Sequence, residues 1–180
     1  MRVISGKIRG KKLYSLDGDN TRPTTDRVKE NIFNIIMPYI YGARVLDLFA
    51  GSGALGIEAL SRGVAWCDFV ENNKSAAEIV KKNLCETPFG DMSHIHFSSY
   101  EAFLERTDEK YDIIFMDPPY EAGYYIPALK KIYERQLLAD GAIVVAEIKS
   151  GKGFEVSGFE TLKEKKYGNT SVLILRRMGE

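Results

Sequence analysis

Val45-Leu46-Asp47-Leu48-Phe49-Ala50-Gly51-Ser52-Gly53-Ala54-Leu55-Gly56 is an apolar run that turns through glycines into small, helix-compatible residues. Gly51, Gly53 and Gly56 match the pattern G-x-G-x-x-G, which opens a helix behind a tight turn and brings helix and strand close together. Glu71 ends a second apolar run, Cys67-Asp68-Phe69-Val70-Glu71, at the distance where a nucleotide site takes a ribose hydroxyl. A dinucleotide site puts its first glycine at the strand end, so that the helix N-terminus meets a pyrophosphate. Here Asp47 and three further residues intervene, and a carboxylate in that place repels a pyrophosphate. It suits a cationic amino group, as in the methionine moiety of S-adenosylmethionine, although the glycines by themselves would also serve a nicotinamide dinucleotide.

The rest of the chain builds around this unit. Apolar strands reach Leu48, Glu71, the neighbourhood of His94, Met116 and, from Ala142, Glu147; helices are expected from about Ala54, over Lys74 to Leu84, after Tyr100, and near Ile126 to Arg135. Such alternation requires a parallel sheet with helices on both faces. Two last runs, Lys163 to Tyr167 and Ser171 to Leu175, flank Gly168-Asn169, a hairpin turn that makes the final strand antiparallel. The expected fold is α/β and Rossmann-like, with a mostly parallel seven-stranded sheet. Ahead of it, Val3 to Tyr14 reads as two short strands about Arg9-Gly10. Thr24 or Thr25 would cap a helix with Val28, Ile32, Ile35, Ile36 and Tyr39 on one face. Residues 1–41 thus form a basic hairpin and helix, and 42–180 a cofactor-binding core, within a single domain.

In open sheets of this type ligands bind beyond the carboxyl ends of the strands. The loops after Leu48, Val70 and Met116 all end there, and the last of them is Asp117-Pro118-Pro119-Tyr120. The prolines have fixed φ and no N–H, so they stop the strand and leave its last carbonyls to accept from a ligand. A carboxylate, a rigid turn and an aromatic face suit the exocyclic amine of a flat base, with Asp117, Pro118, Pro119 and Tyr120 as the catalytic set. Guanine N2 and adenine N6 fit this turn equally, and an ordinary strand-ending turn would use the same residues. Asp47, Phe49, Gly51, Ser52, Gly53, Glu71 and Asn72 would line the cofactor, with Ser99 and Tyr100 flanking an adenine; Ser99 would serve equally as a helix cap.

Composition narrows the class. The 180 residues carry 25 basic and 25 acidic side chains, yet the first 16 hold five cations and no anion. A basic arm on a slightly acidic body fits a protein that meets phosphates on one face, and an edge hairpin guarded by lysines is the plainer reading. Lys7, Arg9, Lys11, Lys12, Arg22 and Arg27 are the candidate RNA contacts. A non-catalytic RNA-binding module would need this arm and nothing more. No apolar run of 18 residues and no apolar signal region is present, which points to a cytoplasmic protein without a membrane partner. Cys67 and Cys85 belong to no motif and read as buried thiols. His94 and His96 alternate as strand faces do, and no metal site is expected there.

Together the stretches Arg2 to Leu13, Arg22 to Glu30, Asp47 to Gly56 with Glu58 to Gly63, and Asp117 to Tyr120 resemble the RsmD-type bacterial 16S ribosomal RNA guanine-N2 methyltransferases. The resemblance runs in order over nearly the whole chain. Ser5 stands where the family often has glycine, and Lys11 where arginine is common. The resemblance implies a class I methyltransferase using S-adenosylmethionine, no metal, 16S rRNA or an assembling small ribosomal subunit as partner, and a monomer.

Overall fold

A computed structural model of the chain describes residues 1–15, 26–119 and 123–179. Strands β1 (Arg44–Asp47), β2 (Trp66–Glu71), β3 (Ser93–Phe97), β4 (Tyr111–Met116), β5 (Leu138–Lys149), β6 (Phe159–Tyr167) and β7 (Thr170–Arg177) form one sheet in the order 3-2-1-4-5-7-6. The first five are parallel, and β7 is antiparallel to both β5 and β6. Helices α1 (Asp26–Ile36), α2 (Ala54–Arg62), α3 (Lys74–Cys85), α4 (Tyr100–Arg106) and α5 (Tyr125–Glu134) cover it.

The period-2 alternation of the strands divides the core in two. Val45, Phe69, Ile113, Phe115 and Val145 meet Ile32 and Phe33 of α1, Ile57 and Leu60 of α2, and Val80 of α3 on one face. Leu46, Val70, Ile114, Met116 and Val144 meet Phe103 and Leu104 of α4 and Leu129 and Ile132 of α5 on the other. Strands buried on both faces cannot alternate with polar residues, which explains their continuous apolar runs. Strand order reverses between β1 and β4, so the crevice at the carboxyl ends opens between the glycine turn and the Asp117 turn.

Several details differ from expectation. The opening segment forms no pair of strands; a single antiparallel bridge joins Arg2 and Lys12. Its central amides are used elsewhere: Ile4 and Ser5 donate to the Glu58 carboxylate (2.7 and 3.0 Å), and Lys7 and Ile8 donate to the carbonyl and Oγ of Ser61. Gly6 leaves no choice about this packing, since a Cβ there would lie 1.9 Å from the Ser61 carbonyl oxygen. In α1 the buried face is Lys29, Ile32, Phe33 and Ile36. Tyr39 falls in a 3-10 turn beside Pro38, which cannot continue the helix, and is exposed. Cys67 is buried, whereas Cys85, the last residue of α3, is exposed. Thr24 and Thr25 lie outside the described residues. No helix among the described residues is long and apolar enough to cross a membrane.

Candidate active site

The glycine turn is tied down on three sides. Asp47 ends β1 beneath it and is 2% exposed, with one oxygen accepting from the Gly56 N–H at 3.0 Å. Gly53, the N-cap residue of α2, has no side chain to cap with, so Asp47 serves that helix end from below. Burial pushes the Asp47 carboxyl up to about 7; the Gly56 N–H opposes the shift and nearby Glu71 adds to it. Glu71 accepts from the N–H groups of Gly51 and Asn73, both at 2.8 Å, and so staples the turn to the end of β2. Asn83 of α3 donates to the Ser52 carbonyl (2.8 Å) and the Tyr14 carbonyl, and accepts from the Tyr14 N–H. One buried amide thereby joins the basic arm to the turn.

The three glycines answer different demands. A Cβ on Gly56 would lie 2.3 Å from the Phe69 ring, so helix and strand touch there. Gly53 has a left-handed φ of 78° and close neighbours in Val80 and Phe69. Gly51, at φ 55°, has open crevice where a Cβ would stand. The third position keeps its usual packing role, but the open place that a dinucleotide turn has at its second glycine falls here to the first.

At the crevice wall Phe49, Tyr100 and Tyr124 form an aromatic group, with ring centroids 5.2 Å apart for Phe49 and Tyr100 and 5.1 Å for Tyr100 and Tyr124. The rings of Phe49 and Tyr124 lie nearly parallel, at 6.0 Å. Burial, with Glu101 adding, pushes the Tyr100 hydroxyl up to about 12, so it stays a neutral phenol. Tyr124 was not among the sequence candidates, and its only signal was an aromatic pair closing the segment after Asp117. Ser99 is the N-cap of α4, accepting from the Ala102 N–H at 3.3 Å. Asn72 is exposed beside Glu71.

Asp117 stands half-buried directly after β4, followed by buried Pro118 and exposed Pro119. Tyr120 and Arg22 lie outside the described residues. The arm runs along α2: its tip, with Lys7 bonded to Ser61, lies about 10 Å along the helix from the glycine turn. Lys7, Arg9, Lys12 and Arg27 are exposed and form no ion pair among the described residues, whereas Lys11 pairs with Glu86 at 2.6 Å. Two buried carboxylates were missed as centres of interaction. Glu58 meets Lys29 (3.4 Å) and Arg62 (2.7 Å), with all three side chains nearly inaccessible. Asp68 meets Arg44, His96 and the Tyr111 hydroxyl at 3.1, 2.8 and 3.1 Å. Among the described residues no group of three His, Cys, Asp or Glu could hold a metal ion.

The residues fit an adenosine cofactor with a cationic tail. Glu71 keeps acceptor capacity beyond its two amide bonds, Gly51 leaves the crevice open, and Asp47 places a carboxyl under the turn. The acidic strand end, the glycine turn, the Asp117 turn across the reversal of strand order and the antiparallel β7 define a class I methyltransferase. Residues 1–176 match the family described as Conserved hypothetical protein 95, and the chain belongs to that family, the RsmD type. It is 38% identical to ribosomal RNA small subunit methyltransferase D of Haemophilus influenzae, covering 95% of this chain and 91% of that protein. The Escherichia coli protein of the same name is 34% identical, over 98% and 90%. A solved Escherichia coli structure described as a methyltransferase candidate, yhhF, has a TM-score of 0.89 at 32% identity and covers 100% of this chain and 99% of that one.

Proposed function

We propose that the chain uses S-adenosylmethionine to methylate the exocyclic N2 amine of a guanine in the 16S rRNA of the small ribosomal subunit. The observation that carries this reading is the convergence of Asp47, Glu71 and Asp117 on the one sheet edge where strand order reverses. The names of the family's ribosomal RNA methyltransferases support the substrate. When bound, the cofactor supplies an electrophilic methyl on a sulfonium.

The chain's own residues then align the acceptor. Guanine N2 is a poor nucleophile because its lone pair is delocalised into the ring. Asp117 accepts one N–H of the amine and the Pro118 carbonyl the other, which draws the nitrogen toward tetrahedral geometry with its lone pair aimed at the methyl. Asp117 is a hydrogen-bond acceptor first and takes up the released proton second. Alignment of this kind contributes up to ~7–11 kcal/mol in favourable cases. Tyr120 stacks on the extruded base, a contact worth ~1–3 kcal/mol. Glu71 and Asn72 hold the ribose side, and Phe49, Ser99 and Tyr100 the adenine side. Residues 1–41 face the RNA with Lys7, Arg9, Lys11, Lys12, Arg22 and Arg27, contacts that position the protein without specifying a base. The enzyme acts as a cytoplasmic monomer.

The test is transfer of labelled methyl to unmodified small-subunit rRNA, naked and in assembled particles, with DNA alongside, followed by nucleoside analysis. Label in N2-methylguanosine is expected; label in N6-methyladenosine would keep the site and overturn the base. Asp117→Ala should abolish turnover while cofactor affinity falls much less, and equal loss of both would make Asp117 a structural residue.

A further inference from the structure

We propose that the distal half of β6, with the end of β5 beside it, is a second surface for the phosphodiester backbone of RNA, remote from the basic arm. The proposal rests on the RNA reading above. Lys163, Lys165 and Lys166 of β6 and Lys149 and Lys152 at the end of β5 are all exposed. None forms an ion pair among the described residues. Ser150 N–H donates to the Asn169 carbonyl at 2.9 Å, so the β5 end and the β6–β7 turn move as one piece.

Register puts these lysines at the height of the catalytic turn. Met116 pairs with Ala146, so Asp117 is level with Glu147; Glu147 pairs with Val172, and Val172 with Lys165. Lys166 lies one step and Lys149 two steps further out on the substrate side. Strand β6 is three strands from β4, or roughly 14 Å at the usual spacing. That distance is within reach of RNA backbone a few nucleotides from a base held at Asp117. Residues paired across strands share a face. Lys163 and Lys165 pair with Ile174 and Val172, which belong to the α1 side of the core, the side that also carries the arm.

Lysines on an edge strand also deter aggregation, and β6 is an edge. Protection of the edge does not explain their distribution. The proximal residues Phe159-Glu160-Thr161-Leu162 have no lysine, although Leu162 is an exposed apolar side chain there. The cations begin only as the strand approaches the catalytic level.

The test is binding of unmodified small-subunit rRNA, naked and in assembled particles, across a salt series by wild type and by the triple variant Lys149→Ala, Lys163→Ala, Lys165→Ala, three lysines that register puts on one face. The expected result is a salt slope shallower by ~0.7–0.9 for each phosphate no longer neutralised and RNA affinity weaker by roughly tenfold or more at low salt. Cofactor affinity and Tm should not move, and the triple arginine variant should behave as wild type. An unchanged slope with intact Tm overturns the proposal. So does a defect confined to assembled particles, which would assign the surface to an acidic ribosomal protein. Wild type that binds no RNA at all would instead remove the functional reading itself.

Discussion

Two pairs of acidic residues with opposite surroundings lie within about 25 positions of one another. Glu58 and Asp68 are buried with cations: Lys29 and Arg62 for the first, Arg44 and His96 for the second. Asp47 and Glu71 form no ion pair among the described residues and take only backbone N–H groups. Carboxylates that hold the fold together have been neutralised from within the chain. Asp47 and Glu71, at the candidate site, have no such cation, and burial pushes the Asp47 carboxyl up to about 7. Electrostatic completeness therefore separates scaffold from candidate site more sharply than burial does, since Asp47 is as inaccessible as Asp68.

The largest effect should come from the scaffold pair. Glu58→Ala leaves Lys29 and Arg62 uncompensated in the interior and removes the acceptor for the Ile4 and Ser5 amides. Breaking a buried ion pair from one side typically costs ~3–5 kcal/mol, so denaturant unfolding should show a loss of that order and proteolysis should cut the first 15 residues sooner. A variant as stable as wild type would break the contrast, because Glu58 would then be no more committed to the fold than Asp47.

Asp47→Asn tests the other side. Asparagine caps a helix about as well as aspartate, so α2 and the stability of the apo protein should survive. S-adenosylmethionine affinity should fall about ten- to a hundredfold, the equivalent of the ~1.5–3 kcal/mol of a charged hydrogen bond. Isothermal titration reads this directly. Unchanged affinity would make Asp47 a helix cap and nothing further.

How far this division could be read from sequence depends on where the partner came from. The places of Asp47, Gly51 to Gly56, Glu71 and Asp117 in the fold were legible because strand, turn and helix lie consecutively and the spacing carries the geometry. The sheet followed from the alternation of apolar runs, and the last hairpin from the Gly168-Asn169 turn between two of them. Glu58 was not legible as a hub: on α2 it looks like a polar position, and it is buried only because the arm, more than 50 residues earlier, lies over it. The same contacts explain why the arm's pairing stays short: Val3, Gly10 and Leu13 donate across the arm, but the amides of Ile4, Ser5, Lys7 and Ile8 bond to α2. His96 reads as one face of an alternating strand, and only the pairing of β2 with β3 brings it to Asp68. Local chemistry was visible, whereas long-range neutralisation was not.

A pH series sharpens the comparison at smaller amplitude. Burial alone pushes the Asp68 carboxyl up, but the His96 hydrogen bond and the charges of His96 and Arg44 outweigh it and hold it below the usual carboxylate range. Its contribution to stability is thus present above its unfolded pKa and is lost as pH falls through the lowered folded value. Asp47 has the opposite sign: its folded pKa of about 7 lies above the unfolded 3.8, so stability from this group is present at low pH and declines as pH rises toward 7. In thermal melts, Asp68→Asn should flatten the acid limb, and Asp47→Asn should remove a decline between about pH 4 and 7. Identical profiles for the two variants would show that the carboxylates do not differ as their partners imply.

The smallest expected effect lies at the surface, where the distinction between paired and waiting charge should still hold. Glu86 accepts from Lys11 at 2.6 Å and from the Tyr14 hydroxyl at 3.0 Å, both bonds open to solvent. Exposed pairs of this kind contribute little to stability, so Glu86→Gln should leave Tm unchanged. It should nonetheless release Lys11 to join Lys7, Arg9 and Lys12, which have no ion-pair partner among the described residues. The salt dependence of RNA binding should then steepen by at most one phosphate, ~0.7–0.9 in slope. If the slope is unmoved, Lys11 belongs with the charges already satisfied by the fold, and the phosphate-facing part of the arm is confined to its tip.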